Sequence, residues 1–143
     1  MRDVQSISPV LTVRDVDASI AFYHEVLGFP ENNVVRMPDG KAVHGMARRG
    51  SVMVQFSPEG PADPPASARG AGVVLYIQIG DEDIDHYWET VVGAGAKVLE
   101  PIETKFWGDR TFIVADPDGY HVMFAQQVRD FSMEEMQKAH ARA

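Results

Sequence analysis

The sequence predicts an α+β protein made of two βαβββ modules in tandem. Three observations carry that reading. The element order strand, helix, strand, strand, strand occurs once before a Pro- and Gly-rich stretch and once after it. Each helix holds an aromatic pair, Phe22-Tyr23 and Tyr87-Trp88. The segments VLTVRDVDASIAFYHEVLG and VLYIQIGDEDIDHYWETVVGAG superpose at an offset of about 65 residues with one small insertion. A chain of 143 residues has room for one core, or for two small modules that pack together, and no more.

In the first module, residues 8–13 (SPVLTV) alternate polar and apolar side chains and predict a strand. Asp15 or Asp17 caps a helix that runs to about Leu27, where Gly28 stops it. Ile20, Tyr23, Val26 and Leu27 recur at helical spacing and form one apolar stripe that needs a sheet beneath it. Residues 34–37, 42–47 and 51–57 then read as three strands, joined by turns at Pro38-Asp39-Gly40 and Arg49-Gly50. Residues 58–72, rich in Pro, Gly, Ala and Ser, predict a linker without a regular element. In the second module, residues 73–79 predict a strand and 83–92 a helix closed by Gly93 and Gly95. Strands follow at 97–102, 111–114 and 120–126, the last two joined by Asp116-Pro117-Asp118-Gly119. Ser132 and Glu135 have the spacing of a capping box, which predicts a short accessory helix in the tail. The expected division is therefore residues 1–57, linker 58–72, residues 73–127 and tail 128–143, within one structural domain.

Composition narrows function. Hydrophobic residues make up 45% of the chain and charged residues 24%, as in globular proteins, and no apolar run approaches the roughly 20 residues that span a bilayer. There is no cysteine, which removes disulfides, thiolate nucleophiles and zinc ribbons together. The N-terminus shows no secretory signal, so the cytoplasm is the expected location. The formal net charge is −8 and the pI about 5.0, the reverse of a nucleic-acid footprint. Neither nucleic acid nor membrane is an expected partner. A negative field of this kind attracts cationic small molecules, although acidic balance also serves solubility alone.

Four segments in order resemble the vicinal-oxygen-chelate superfamily, which includes glyoxalase I, ring-cleaving dioxygenases and bleomycin-resistance proteins. They are the opening Pro9-Val10-Leu11-Thr12-Val13-Arg14-Asp15-Val16, the helix end Phe22-Tyr23-His24-Glu25-Val26-Leu27-Gly28-Phe29, the segment Phe106-Trp107-Gly108-Asp109-Arg110, and the hairpin Asp116-Pro117-Asp118-Gly119-Tyr120. The resemblance covers nearly the whole chain and implies paired modules whose curved mixed sheets surround a cavity, commonly in a homodimer. It also implies that metal-dependent members draw His or Glu from four strands. Carried over residue by residue, those positions hold Ser8, Gln55, Val74 and Met123. Sliding the match by one or two residues brings in Val10, Met53, Tyr76 or His121 and still assembles no site. A hydroxyl, an amide, an alkyl group and a thioether give a divalent ion no adequate donor set, so no metal and no other cofactor is expected.

Period-two alternation gives a second view of the cavity. Leu11 and Val13, then Val52, Val54 and Phe56, then Val73, Leu75, Ile77 and Ile79, then Val122 and Phe124 are expected to face the helices. Opposite them lie Ser8, Val10 and Thr12; Met53, Gln55 and Ser57; Val74, Tyr76 and Gln78; His121, Met123 and Ala125. That mixture of neutral polar groups, thioethers and one aromatic ring suits an organic ligand, unless the face simply meets water or another sheet. Trp107 matches the tryptophan that lies by the ligand groove in bleomycin-resistance proteins, and it either stacks on a planar ligand or plugs a gap between sheet and loop. Arg110 either bonds a ligand carbonyl or pairs with Asp109 or Glu103. His24, His86 and His140 are expected at the surface, whereas His44 and His121 sit on strands where both can face the cavity. Trp88 is expected in the core. The cluster Asp81 to Asp85 lacks the loop length of an EF-hand, and Gly70-Ala71-Gly72 follows no strand and opens no helix.

The leading expectation is a metal-free protein that sequesters a small aromatic or cationic compound, resembling antibiotic-resistance binding proteins and acting as a homodimer. The expected contacts are Trp107, Gln55, Tyr76, Gln78, Met53, His121, Met123 and Arg110. The alternatives are a lyase, isomerase or other enzyme running metal-free acid-base chemistry around His121, Tyr76 or His44, and a metal-dependent member with shifted ligands.

Overall fold

The structure, a computed structural model, describes residues 2–142; Met1 and Ala143, the outer ends of the expected first module and tail, lie outside the described residues. Two units divide the chain. One runs to Ala71 and includes Pro117–Gly119; the other comprises Gly72–Asp116 and the residues from Tyr120 onward. Each contains one βαβββ module, and together they make an α+β fold of two four-stranded mixed sheets.

In the first unit, β1 (Val10–Val13) is followed by α1 (Val16–Ala21), a π-turn (Phe22–Val26), β2 (Glu31–Arg36), β3 (Ala42–Arg49) and β4 (Val52–Pro58). Sheet order is β1-β4-β3-β2, with β1 parallel to β4 and the other pairs antiparallel. Asp15 is the helix cap, its carboxylate accepting from Ala18 N at 3.1 Å. Beyond Ala21 the bonding shifts by one residue: Leu27 N–H reaches the Phe22 carbonyl at 3.1 Å. The wider turn leaves Tyr23 and Leu27 fully buried, with Tyr23 edge-on to Phe29 and tilted against Phe56. Helix and sheet come close at Gly45 of β3, where an added Cβ would lie 2.6 Å from Val16 Cγ1 and 2.8 Å from Ile20 Cδ1. Two expected bounds need correction. The first strand starts at Val10, because Pro9 has no N–H to give the ladder, although its carbonyl still accepts from Gln55 N at 2.9 Å. The second starts at Glu31, because pairing with β3 supplies the ladder bonds that Asn32 and Asn33 would not favour by propensity.

The linker is not wholly irregular, since Ala66–Ala68 form one 3₁₀ turn. Its end is anchored by Arg69, which is buried, donates to Thr12 O at 3.1 Å and pairs with Glu59 at 2.6 Å.

The second unit repeats the order with β5 (Val74–Gln78), α2 (Ile84–Gly93), β6 (Lys97–Thr104), β7 (Asp109–Ala115) and β8 (His121–Gln127), arranged β5-β8-β7-β6. Asp83 caps α2, and Gln126 Oε1 accepts from Ile84 N at 3.1 Å. Ile84, Tyr87 and Val91 are buried where Ile20, Tyr23 and Leu27 are buried in the first unit. Tyr87 therefore corresponds to Tyr23, so Trp88 is not the counterpart of Phe22 that the repeat leads one to expect. Trp88 is accordingly not full core: it sits beside the stripe, partly exposed, with its ring 5.1 Å from Phe112. Val73 precedes β5 and is exposed, while Met123 and Ala125 are buried, so these positions depart from the simple alternation. The tail forms α3 (Met133–Ala141), whose cap Ser132 accepts from Glu135 N at 3.1 Å as the capping box predicts, while the Glu135 carboxylate accepts from the Ser132 hydroxyl at 3.2 Å in place of the backbone N–H.

Candidate functional site

In each unit the helix covers one sheet face, and the residues expected to contact a ligand are sorted by the other. In the first unit Gly45 faces α1, so its strand neighbours His44 and Met46 point away from the helix, and Met46 lies opposite Gln55. On that face Ser8 Oγ donates to Met53 O at 2.9 Å, Gln55 Nε2 donates to Ser8 Oγ at 3.3 Å, and His44 Nε2 lies 2.9 Å from Gln55 Oε1. Met53 is on the same side of β4, half-buried, its sulfur 3.7 Å from Arg48 Nη2. Ser8, Gln55 and His44 are thus joined in one chain of hydrogen bonds, with the Arg48 guanidinium beside it on Met53.

The second unit differs in charge. Tyr76 of β5 and Trp107, in the turn before β7, both aim at one carboxylate. The Tyr76 hydroxyl donates to Asp109 Oδ2, and Trp107 Nε1 donates to the same oxygen at 3.1 Å. Burial, then the hydrogen bond and charge of Asp109, push the Tyr76 phenol above its ordinary value, so at neutral pH it is a neutral donor. No Lys or Arg forms a salt bridge with Asp109 among the described residues. The turn that holds Trp107 is tight. Gly108 has φ 98° and its missing Cβ would lie 2.1 Å from Arg129 O, so glycine is required twice over. Gly108 O accepts from Val128 N at 3.0 Å, and Phe106 stands edge-on to Trp107 and 5.3 Å from the His140 ring of α3.

The remaining expected contacts divide. Gln78 and His121 lie on the helix-distal face and are exposed. Met123, between Tyr76 of β5 and Ile113 of β7, is only 9% exposed and has little surface to offer. Arg110 needs correction, since it pairs with neither Asp109 nor Glu103. It points to the helix side, where Asp85 of α2 takes it at 2.8 to 3.1 Å, and it also reaches Thr104 Oγ1 at 3.2 Å. That contact holds the Asp85 carboxyl below the ordinary range, its hydrogen bond to Arg110 outweighing a slight desolvation. Glu103 and Glu100 are bound instead by Lys105. His24 is exposed and its Nδ1 donates to Phe29 O at 2.7 Å, a structural role. Asp109, which the sequence marks only as a neighbour of Arg110, is the acceptor around which the second cluster forms.

The four positions at which the resemblance implies metal ligands do not fit a metal. Ser8 and Gln55 are committed to each other and to neighbours, Val74 has no donor, and Met123 is a buried thioether. Among the described residues no three or more His, Cys, Asp or Glu side chains form a group that could hold a metal ion. No helix among them is long and apolar enough to cross a membrane.

Residues 6–124 match the model of the Glyoxalase/Bleomycin resistance protein/Dioxygenase superfamily. An uncharacterized protein of Mycobacterium bovis is 33% identical over 140 residues, which cover 94% of this chain and 91% of that protein. A bleomycin resistance protein of Geobacillus stearothermophilus is 31% identical over 137 residues, covering 88% and 98%. Among solved structures, TioX from Micromonospora sp. ML1 superposes with a TM-score of 0.70 at 21% identity, covering 87% of this chain and all of that one. A glyoxalase-related enzyme from Clostridium phytofermentans gives 0.68 at 20% identity, covering 89% and 98%. At those identities the structures speak for the fold alone. Strand order, the repeated module and the length of the matched region agree, and the chain belongs to the Glyoxalase/Bleomycin resistance protein/Dioxygenase superfamily.

Proposed function

We propose that the protein binds a small aromatic or cationic compound without a metal, sequestering it rather than transforming it. The observation that carries the reading is the Asp109 carboxylate, which accepts from Tyr76 and Trp107 and has no cationic partner among the described residues. A partly buried anion between two aromatic rings attracts a planar cation twice, through Coulomb attraction and through the ring quadrupoles. Arg110, the nearest candidate to neutralise it in sequence, is held by Asp85. The net charge of −8 adds a long-range field of the same sign, and the relatives named bleomycin resistance proteins are consistent with capture of a toxic compound. A homodimer in the cytoplasm belongs to the same proposal; light scattering at low micromolar concentration should give a mass near twice the 15.8 kDa chain.

Titration of a planar aromatic cation, followed by tryptophan fluorescence, tests the binding. Trp107→Ala should weaken affinity roughly 5- to 150-fold, the equivalent of about 1–3 kcal/mol of stacking and burial. Trp88→Ala should leave it unchanged, because Trp88 packs on the helix side of its sheet. Binding should also weaken with added salt, which screens the field over about 8–10 Å. Equal affinity in wild type and Trp107→Ala would exclude this site.

A further inference from the structure

We propose that His44 Nδ1 is the acceptor of a second recognition site, on the helix-distal face of the first unit, which takes an aromatic compound bearing an O–H or N–H donor. The inference rests on the reading of the protein as a metal-free binder of small molecules and names a chemical feature of what it binds. It follows from hydrogen-bond polarity. The Met53 carbonyl can only accept, so the one hydroxyl hydrogen of Ser8 is spent on it. Whatever Gln55 presents to Ser8 Oγ must then donate, which orients its amide with Nε2 toward Ser8 and Oε1 toward His44. Oε1 can only accept, so His44 Nε2 carries the hydrogen. In the neutral ring Nδ1 is left with a lone pair, and no hydrogen bond to it exists among the described residues.

A half-buried imidazole with a fixed tautomer and an acceptor nitrogen that no protein group uses and that is open to solvent is placed to take a hydrogen bond from a ligand donor, and its hydrogen-bond polarity rejects a ligand group that can only accept. Its surroundings choose the rest of the ligand. Met46, opposite Gln55, and Met53 are half-buried thioethers on the same face, and thioether sulfur packs well against aromatic rings. Ser8, Gln55 and His44 bring no charged side chain, and the Arg48 guanidinium beside Met53 disfavours a cation, so a neutral hydroxyaromatic or aminoaromatic compound matches the site better than a cationic one.

The test uses the full chain labelled with ¹⁵N-histidine and ¹³C-methyl methionine. In the free protein the His44 imidazole should show an unprotonated Nδ1 and a protonated Nε2. Addition of 2-naphthol should shift the His44 Nδ1 resonance and the Met46 and Met53 methyl groups. 2-Methylnaphthalene, of similar shape but without a donor, should bind there about tenfold more weakly. His44→Phe should abolish that preference while the methyl groups still report 2-methylnaphthalene. Ser8→Ala keeps the imidazole but frees the amide, so it should mix the tautomers and lose part of the preference. Equal binding of the two probes, or a preference that survives His44→Phe, would overturn this inference and leave the Asp109 reading standing. If neither probe moves the His44 or methionine signals, there is no ligand site on this face. If, in addition, aromatic cations fail to bind at Trp107, the binding reading fails as a whole.

Discussion

The two units share strand order and core but differ on the sheet face away from the helix. Tyr23 and Tyr87, Ile20 and Ile84, and Leu27 and Val91 fill the same places under their helices. Opposite them the first unit has a neutral chain of Ser8, Gln55 and His44, whereas the second has an anion, Asp109, between Tyr76 and Trp107. The difference teaches where this fold tolerates change. Burial under the helix fixes residue size, since cores are close-packed, while the other face is free to exchange a neutral network for a charge. The helix contacts differ in one respect: α1 needs Gly45 beneath it, whereas the same position in the second sheet, opposite Val122 as Gly45 is opposite Phe56, is filled by the buried Val114.

The largest effects should come from the shared core. Tyr23→Ala and Tyr87→Ala should each cost about 3–5 kcal/mol in denaturant unfolding, and a small cost at either would show that the two cores are not equivalent. Trp88→Ala should cost less than Tyr87→Ala, because Trp88 lies beside the stripe. Gly45→Ala comes next, with about 1–3 kcal/mol of overpacking against Val16 and Ile20; no loss would mean that α1 can lift away from its sheet.

Smaller effects are electrostatic. The Asp85–Arg110 pair, partly exposed, should contribute about 0.2–1 kcal/mol. The folded carboxyl titrates below its unfolded value, so this contribution is complete above about pH 4 and is lost as pH falls through the lowered folded value. The stability gap between wild type and Asp85→Asn should accordingly close in acid, and a gap that widened there would reverse the assignment. Tyr76 has the opposite sign. Its phenol is raised, so the favourable contribution is present below about pH 10 and is lost as pH rises through the folded value. Ultraviolet titration of wild type against Tyr76→Phe isolates that phenol, and Asp109→Asn should move it back toward its ordinary range.

Much of the scaffold was legible because its signals are local. Asp15 and Asp83 as caps, Gly28 as a stop, the two hairpin turns and the Ser132–Glu135 box each act within a few residues. The π-turn was not legible, since a one-residue shift in bonding leaves the apolar stripe almost unchanged. Trp88 was misplaced because two adjacent aromatic residues on a helix cannot both lie at the centre of its buried stripe. The site was harder to see. Tyr76, Gln55 and Met53 were placed on the helix-distal face by alternation alone, but the partner of Arg110 is 25 residues away on α2, and pairing across such a distance leaves no sequence signal. The same alternation shows why Asp109 could not pair with Arg110: neighbours on a strand point to opposite faces. That places Arg110 beside the helix and leaves the Asp109 charge uncompensated.

The central claim is that this uncompensated carboxylate selects a cation. The direct measurement is calorimetric titration of wild type and Asp109→Asn with N-methylquinolinium and with its neutral counterpart of the same shape, 1-methylnaphthalene. Wild type should prefer the cation by about tenfold or more, as expected when a charge is matched at a partly desolvated site, and Asp109→Asn should bind both alike. Equal affinity of the two compounds for wild type, or a cation preference that persists in Asp109→Asn, would contradict it.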